Sequence, residues 1–197
     1  MVEDTFFRTL IQKIIHRKIP GAFSSGIART KYIDDLLQYA VNNGAEQVMI
    51  LGAGFDTRGL RLGFLRDIPV IEIDHPNTSS YKLRVLRSNL SRLADNVIYH
   101  QLDFNKESLD DMISWNPIDL TKPTVIIWEG VTNYLTASAI ENVFRFLSRF
   151  AGGSYVIFTY INRLVLDDPS SFYGAEKLLS DLEKIEERWT FDSGRKN

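Results

Sequence analysis

"QVMILGAGFDTRGLRL", residues 47–62, reads as a strand running into a glycine turn and then a helix. Val48, Met49, Ile50 and Leu51 form the short unbroken apolar run expected of a strand covered on both faces. Gly52-Ala53-Gly54 lets the backbone turn tightly and leaves room for a ligand, because neither glycine carries a Cβ. Asp56 or Thr57 is positioned to cap the following helix, whose apolar side would be Leu60, Leu62 and Leu65. This is the first βα unit of a doubly wound α/β fold. A pyrophosphate-binding turn wants a third glycine or alanine three positions after the second, and Thr57 stands there instead. The turn therefore admits a dinucleotide without favouring one.

Outward from this turn, strands and helices alternate. The first 44 residues read as two helices. One carries Phe6, Leu10, Ile14 and Ile15 on one face and ends at Pro20-Gly21. The second runs from about Ile27 to Asn42, with Ile33, Leu36, Leu37 and Ala40 inward, and stops at Asn43-Gly44. Strands are predicted at 47–52, 70–74 ("VIEID"), 97–103 ("VIYHQLD"), 124–129 ("TVIIWE") and 154–161 ("SYVIFTYI"). Pro76 opens a helix whose inward side would be Leu83, Leu86, Leu90 and Leu93. Thr136 or Ser138 caps another, with Ile140, Val143, Phe144, Leu147 and Phe150 as its stripe. A last helix spans "DPSSFYGAEKLLSDLEKIEERW", residues 168–189. Helical crossovers between five strands predict a mostly parallel, right-handed sheet in the order 3-2-1-4-5, its fifth strand at an edge.

Composition narrows the function classes. The 197 residues fit one domain and are 44% hydrophobic, with a dispersed net charge of −2. That charge gives no footprint for nucleic acid or an anionic membrane surface. No apolar run reaches the roughly 18 residues of a membrane span, and the N-terminus lacks the pattern of a signal peptide. Cysteine is absent and the three histidines are scattered, so neither disulfides, thiolate chemistry nor a metal is expected. The expected location is the cytoplasm. The expected organisation is a helical cover over 1–44, an α/β core over 45–161, and a C-terminal helix and tail over 162–197.

In such sheets ligands sit at the carboxyl ends of the strands. The first strand offers Gly52 and Gly54 there. The second ends at Asp74, 22 positions after Gly52, where an acid can accept bonds from both ribose hydroxyls of NAD or of an S-adenosyl ligand. The third ends at Asp103-Phe104, a carboxylate for an adenine amino group and an aromatic to pack the ring. The fourth ends at Glu129, which could meet an ammonium group. Each acid taken alone is as readily a helix cap or a solvated turn. Taken together they suit a cationic, amine-bearing ligand better than a pyrophosphate, and point to S-adenosylmethionine. His75 is more readily a solvated turn residue than a base, and Arg58 is as readily a structural ion pair as a cofactor contact. Trp128, Phe144, Phe146 and Phe150 read as core and cover.

The segments "ARTKYIDDLL" (28–37), "ILGAGFDTRGLRL" (50–62), "IEIDHP" (71–76), "LDF" (102–104) and "WEGVTNYL" (128–135), in that order and spacing, resemble the leucine carboxyl methyltransferase-like family. These are class I S-adenosylmethionine-dependent methyltransferases. The resemblance implies that Arg29 binds the cofactor's methionyl carboxylate and that Gly52 and Gly54 shape the turn beneath it. Asp74 would hold the ribose, Asp103 and Phe104 the adenine end, and Glu129 the amino-acid portion, with Tyr134 on the substrate side. It implies an O-methyltransferase acting on a carboxylate or hydroxyl of a small molecule or peptide, with no catalytic acid or base singled out. Two departures matter: no further strand follows residue 161 except the stub "WTF" at 189–191, and the N-terminal lysine some members use has no counterpart. The chain thus reads as C-terminally shortened, with a bare sheet edge suited to pairing with a second copy. An NAD-dependent oxidoreductase and a non-catalytic cofactor-binding remnant are the alternatives.

Overall fold

The computed structural model describes residues 22–110 and 118–184. The expected first helix, the Pro20-Gly21 stop and the segment beyond 184 lie outside them. The described residues form two compact units, 22–35 with 161–184 and 36–110 with 118–160.

The larger unit is built on five parallel strands, β1 (Gln47–Leu51), β2 (Val70–Asp74), β3 (Val97–Gln101), β4 (Thr124–Trp128) and β5 (Tyr155–Phe158). Their order is β3-β2-β1-β4-β5, as the alternation of strands and helices predicts. Every residue of β1 and β4 is buried, which matches the apolar runs Val48–Leu51 and Val125–Trp128 and takes in the polar Gln47 and Thr124 at their starts. Met49, Leu51, Ile71, Ile73, Ile126 and Trp128 pack with Leu135, Val143, Phe146 and Leu147 into the main core cluster. Four strands, β1, β3, β4 and β5, end sooner than the sequence suggests. Gly52 N–H and Ala53 N–H both donate to the Ile73 carbonyl (2.8 and 3.1 Å), so the chain is already turning there. Residues 102–103, 129, 154 and 159–161 likewise lie outside the strands.

Helix α1 (Ala22–Asn42) begins five residues before its predicted start and buries Ile33, Leu37 and Ala40. Helix α2 (Arg58–Arg61) is a single turn, not the amphipathic helix expected. Leu62 leaves it in an extended conformation (ψ 104°), and Gly63–Leu65 form a 3₁₀ turn. Helix α3 (Pro76–Asn89) corrects a predicted face. Its buried residues are Ser79 and Lys82, Leu83 and Leu86 are only half-buried, and Leu90 is exposed just past the helix end. Helix α4 (Ala137–Leu147) is capped by Thr136, whose hydroxyl accepts from Ala139 N–H at 3.2 Å. Val143, Phe146 and Leu147 are buried on it. Phe144, predicted inward, is exposed instead, edge-on to Trp128 and Phe158.

In the smaller unit the helix predicted over 168–189 is broken into a 3₁₀ turn (Pro169–Ser171) and α6 (Ala175–Lys184), and a short helix that the sequence reading did not place, α5 (Arg163–Asp167), precedes it. Asn162 caps α5 through Leu164 N–H (3.0 Å) and Pro169 opens the 3₁₀ turn. Among the described residues no helix is long and apolar enough to cross a membrane, and no grouping of acidic or histidine side chains could hold a metal ion.

Candidate cofactor site

The carboxyl ends of β1, β2 and β4 converge on the glycine turn. Gly52 adopts φ +64°, and a Cβ there would run into the Val131 side chain, so bare backbone is required where the loop after β4 closes over the turn. Gly54, also at positive φ (+47°), donates its N–H to Oδ2 of Asp74. Oδ1 of Asp74 accepts from His75 N–H at 2.6 Å. Two backbone donors therefore fix the plane of the carboxylate, and each oxygen keeps a lone pair for a further donor.

Asp103 lies just past β3, brought beside β2 by the bond from Leu102 N–H to the Asp74 carbonyl (2.8 Å). Its carboxylate accepts from Lys106 Nζ (2.9 Å) and Asn105 N–H (3.1 Å) and faces His75 Nε2 at 3.7 Å. The Lys106 bond, then the Asn105 bond, hold its pKa below the usual carboxylate value. Phe104 packs against the main core cluster and lines an open cavity of about 210 Å³ with Ser108, Thr136, Ser138 and Asn142.

At the end of β4, Glu129 meets Arg58 of α2, Oε2 to Nη2 at 3.0 Å. Arg58 also pairs with the Asp56 carboxylate, and Asp56 Oδ1 accepts Arg58 N–H at 2.7 Å. Arg58 is only 4% exposed, so of the two readings open for it the structural ion pair is the one observed. Asp56, rather than Thr57, supplies the side chain that caps α2. Tyr134 is half-buried in the 3₁₀ turn Thr132–Tyr134 that follows. Arg29 is exposed on α1, in the smaller unit.

Two features escaped the sequence reading. Gly59 occupies the close-packing position that the missing third glycine would have filled, two residues later than the fingerprint places it. A Cβ on it would lie 2.8 Å from Val97 Cγ2 and 3.2 Å from Val70 Cγ1. The second is a buried ion pair between Glu72 of β2 and Lys82 of α3, 2% and 4% exposed. A charge inside the apolar strand "VIEID" was its one visible sign.

The leucine carboxyl methyltransferase family model matches residues 4–148. A Streptomyces coelicolor protein provisionally named an S-adenosyl-L-methionine-dependent methyltransferase is 32% identical over 152 residues, covering 77% of this chain and 53% of that protein. A Mycobacterium tuberculosis protein with the same provisional name is 34% identical over 128 residues, 64% of this chain and 41% of its own. The chain thus spans about half the length of the relatives it matches. Among solved structures, a Thermobifida fusca protein provisionally named a methyltransferase superposes with a TM-score of 0.64 at 21% identity, over 91% of this chain and 67% of that one. This last likeness shows a shared fold.

Proposed function

The chain belongs to the leucine carboxyl methyltransferase family, and from that premise we propose that it binds S-adenosylmethionine at the glycine turn and methylates an oxygen of its acceptor. The observation that carries this reading is the Asp74 carboxylate, locked by Gly54 and His75 N–H groups, with Asp103 and Glu129 at the neighbouring strand ends. The residues present fit such a ligand: bare backbone at Gly52 and an oriented acceptor pair at Asp74.

In this reading Asp74 accepts from the ribose hydroxyls, and Asp103 with Phe104 takes the adenine end. Glu129, oriented by Arg58, lies toward the ammonium group. Arg29 as partner of the methionyl carboxylate, and Tyr134 on the acceptor side, rest on family resemblance. The bound cofactor supplies an electrophilic methyl group on a sulfonium. An acceptor carboxylate is already ionised at neutral pH, with an ordinary pKa near ~4, so the chain needs no base for it. Its residues then contribute by holding the reactants in line.

Calorimetric titration with S-adenosylhomocysteine, with NAD in parallel, tests the cofactor. Binding of NAD alone would overturn the reading. For the acceptor, label from methyl-labelled S-adenosylmethionine should be released as methanol in mild base, as a carboxyl ester is. Base-stable label would count against a carboxylate.

A further inference from the structure

The turn that follows β1 is tied to both strands flanking β1 by ion pairs that meet at Asp56, the one on the β2 side fully buried and the one on the β4 side partly buried. On the β4 side, Arg58 bridges the Asp56 carboxylate and Glu129. On the β2 side, Lys82 Nζ bonds Glu72 and also donates to the Asp56 carbonyl at 2.6 Å. Glu72 sits mid-sheet, in register with Ile50 of β1 and Tyr99 of β3. We propose that Lys82 is a positioning residue: acting through the Asp56 carbonyl, it sets the 52–58 turn against the sheet and so presets the Gly54 N–H and the cofactor acids it supports.

The physical case rests on what a buried ion pair is good for. Its desolvation offsets most of its Coulombic attraction, and well-packed apolar replacements are often no less stable. This pair is moreover incompletely satisfied. Glu72 Oε1 and the neighbouring Tyr99 hydroxyl are buried with no hydrogen-bond partner among the described residues. Burial pushes the Glu72 carboxyl up to about 7 against the opposing pull of Lys82, with the charges of Asp56 and Asp74 adding to the rise. An arrangement so poorly suited to stabilising the fold does supply direction. The ammonium is held by an anchor on β2 and aimed at one backbone carbonyl of the turn. Lys82 also occupies the inward face of α3, which the leucines of that helix would otherwise fill. The geometric claim stands on these contacts alone, and its bearing on ligand affinity rests on the cofactor reading above.

Hydrogen–deuterium exchange and S-adenosylhomocysteine titration of wild type, Lys82→Met, Lys82→Gln and Glu72→Gln test it together. Lys82→Met keeps the length and removes both bonds. It should exchange amides 53–58 at least tenfold faster, leave the β4 amides 124–128 unchanged, and raise the dissociation constant tenfold or more. Glu72→Gln keeps an acceptor for Lys82 and should stay within threefold of wild type in both measurements. Lys82→Gln retains a donor and should fall between them; it carries the test if Lys82→Met does not fold. Unchanged exchange in a folded Lys82→Met protein, equal acceleration across the whole sheet, or failure of both Lys82 variants to fold would each overturn the positioning role. Faster turn exchange in Lys82→Met, where wild type itself binds no S-adenosylhomocysteine, would uphold the clamp and withdraw the cofactor reading.

Discussion

Asp74 accepts the Gly54 and His75 N–H groups, and in the proposed function its remaining lone pairs take the ribose hydroxyls. Asp74→Ala should therefore cost on the order of 1.5–3 kcal/mol of S-adenosylhomocysteine binding, roughly 10- to 150-fold in affinity by calorimetry. An unchanged constant would leave Asp74 as a turn cap only. Arg29→Ala should lose affinity for S-adenosylhomocysteine but little for adenosine, which lacks the carboxylate; equal losses would indicate a general structural role. Glu72 makes a pH prediction. Its folded value near 7 stands above the ordinary 4.5, so between them the folded state keeps a proton that the unfolded chain has released. Its contribution to stability is full below about 4.5 and falls as pH rises through 7. His100, pushed below its ordinary 6.5 by burial, acts in the opposite sense. The comparison is therefore wild type against Glu72→Gln: urea midpoints from pH 5 to 8 should show wild type losing stability relative to the variant. Parallel curves would contradict the raised value.

At the level of the element, α2 is one turn long because its position is set by contact rather than by helical propensity. Gly59 lets it lie directly on the Val70 and Val97 side chains, and Gly63 follows the extended Leu62. Gly59→Ala should destabilise by about 1–3 kcal/mol through overpacking. A second substitution, Val97→Ala, should recover part of that loss because it removes the 2.8 Å clash. Strict additivity of the two changes in denaturant unfolding would show that the contact is not what constrains α2.

For the molecule as a whole, the open question is the β5 edge. Among the described residues β5 pairs only with β4, and Val156 and Phe158 are 41% and 43% exposed. No lysine or proline interrupts "SYVIFTYI" to discourage pairing. Sedimentation velocity over a range of concentrations should reveal self-association that Val156→Lys abolishes. A wild-type chain that stays monomeric at every concentration would show that this edge is not used between copies.

Much of this molecule was legible from local pattern. Apolar runs of four or five residues, punctuated by Gly52, Pro76 and Gly152-Gly153, marked five strands and their order, because each of those signals acts within a few residues of itself. The acids at strand ends were legible for the same reason. The partners of the charges were not. Arg58 and Glu129 are 71 residues apart, Gly59 faces Val97 from a different βα unit, and Lys82 turns inward where leucine spacing pointed another face to the core. Periodicity ranks helix faces by hydrophobicity, and it cannot register the buried carboxylate that Glu72 of β2 presents to Lys82. Only the packed sheet, by bringing β2 and β4 to either side of β1, decided that both ion pairs would meet at Asp56.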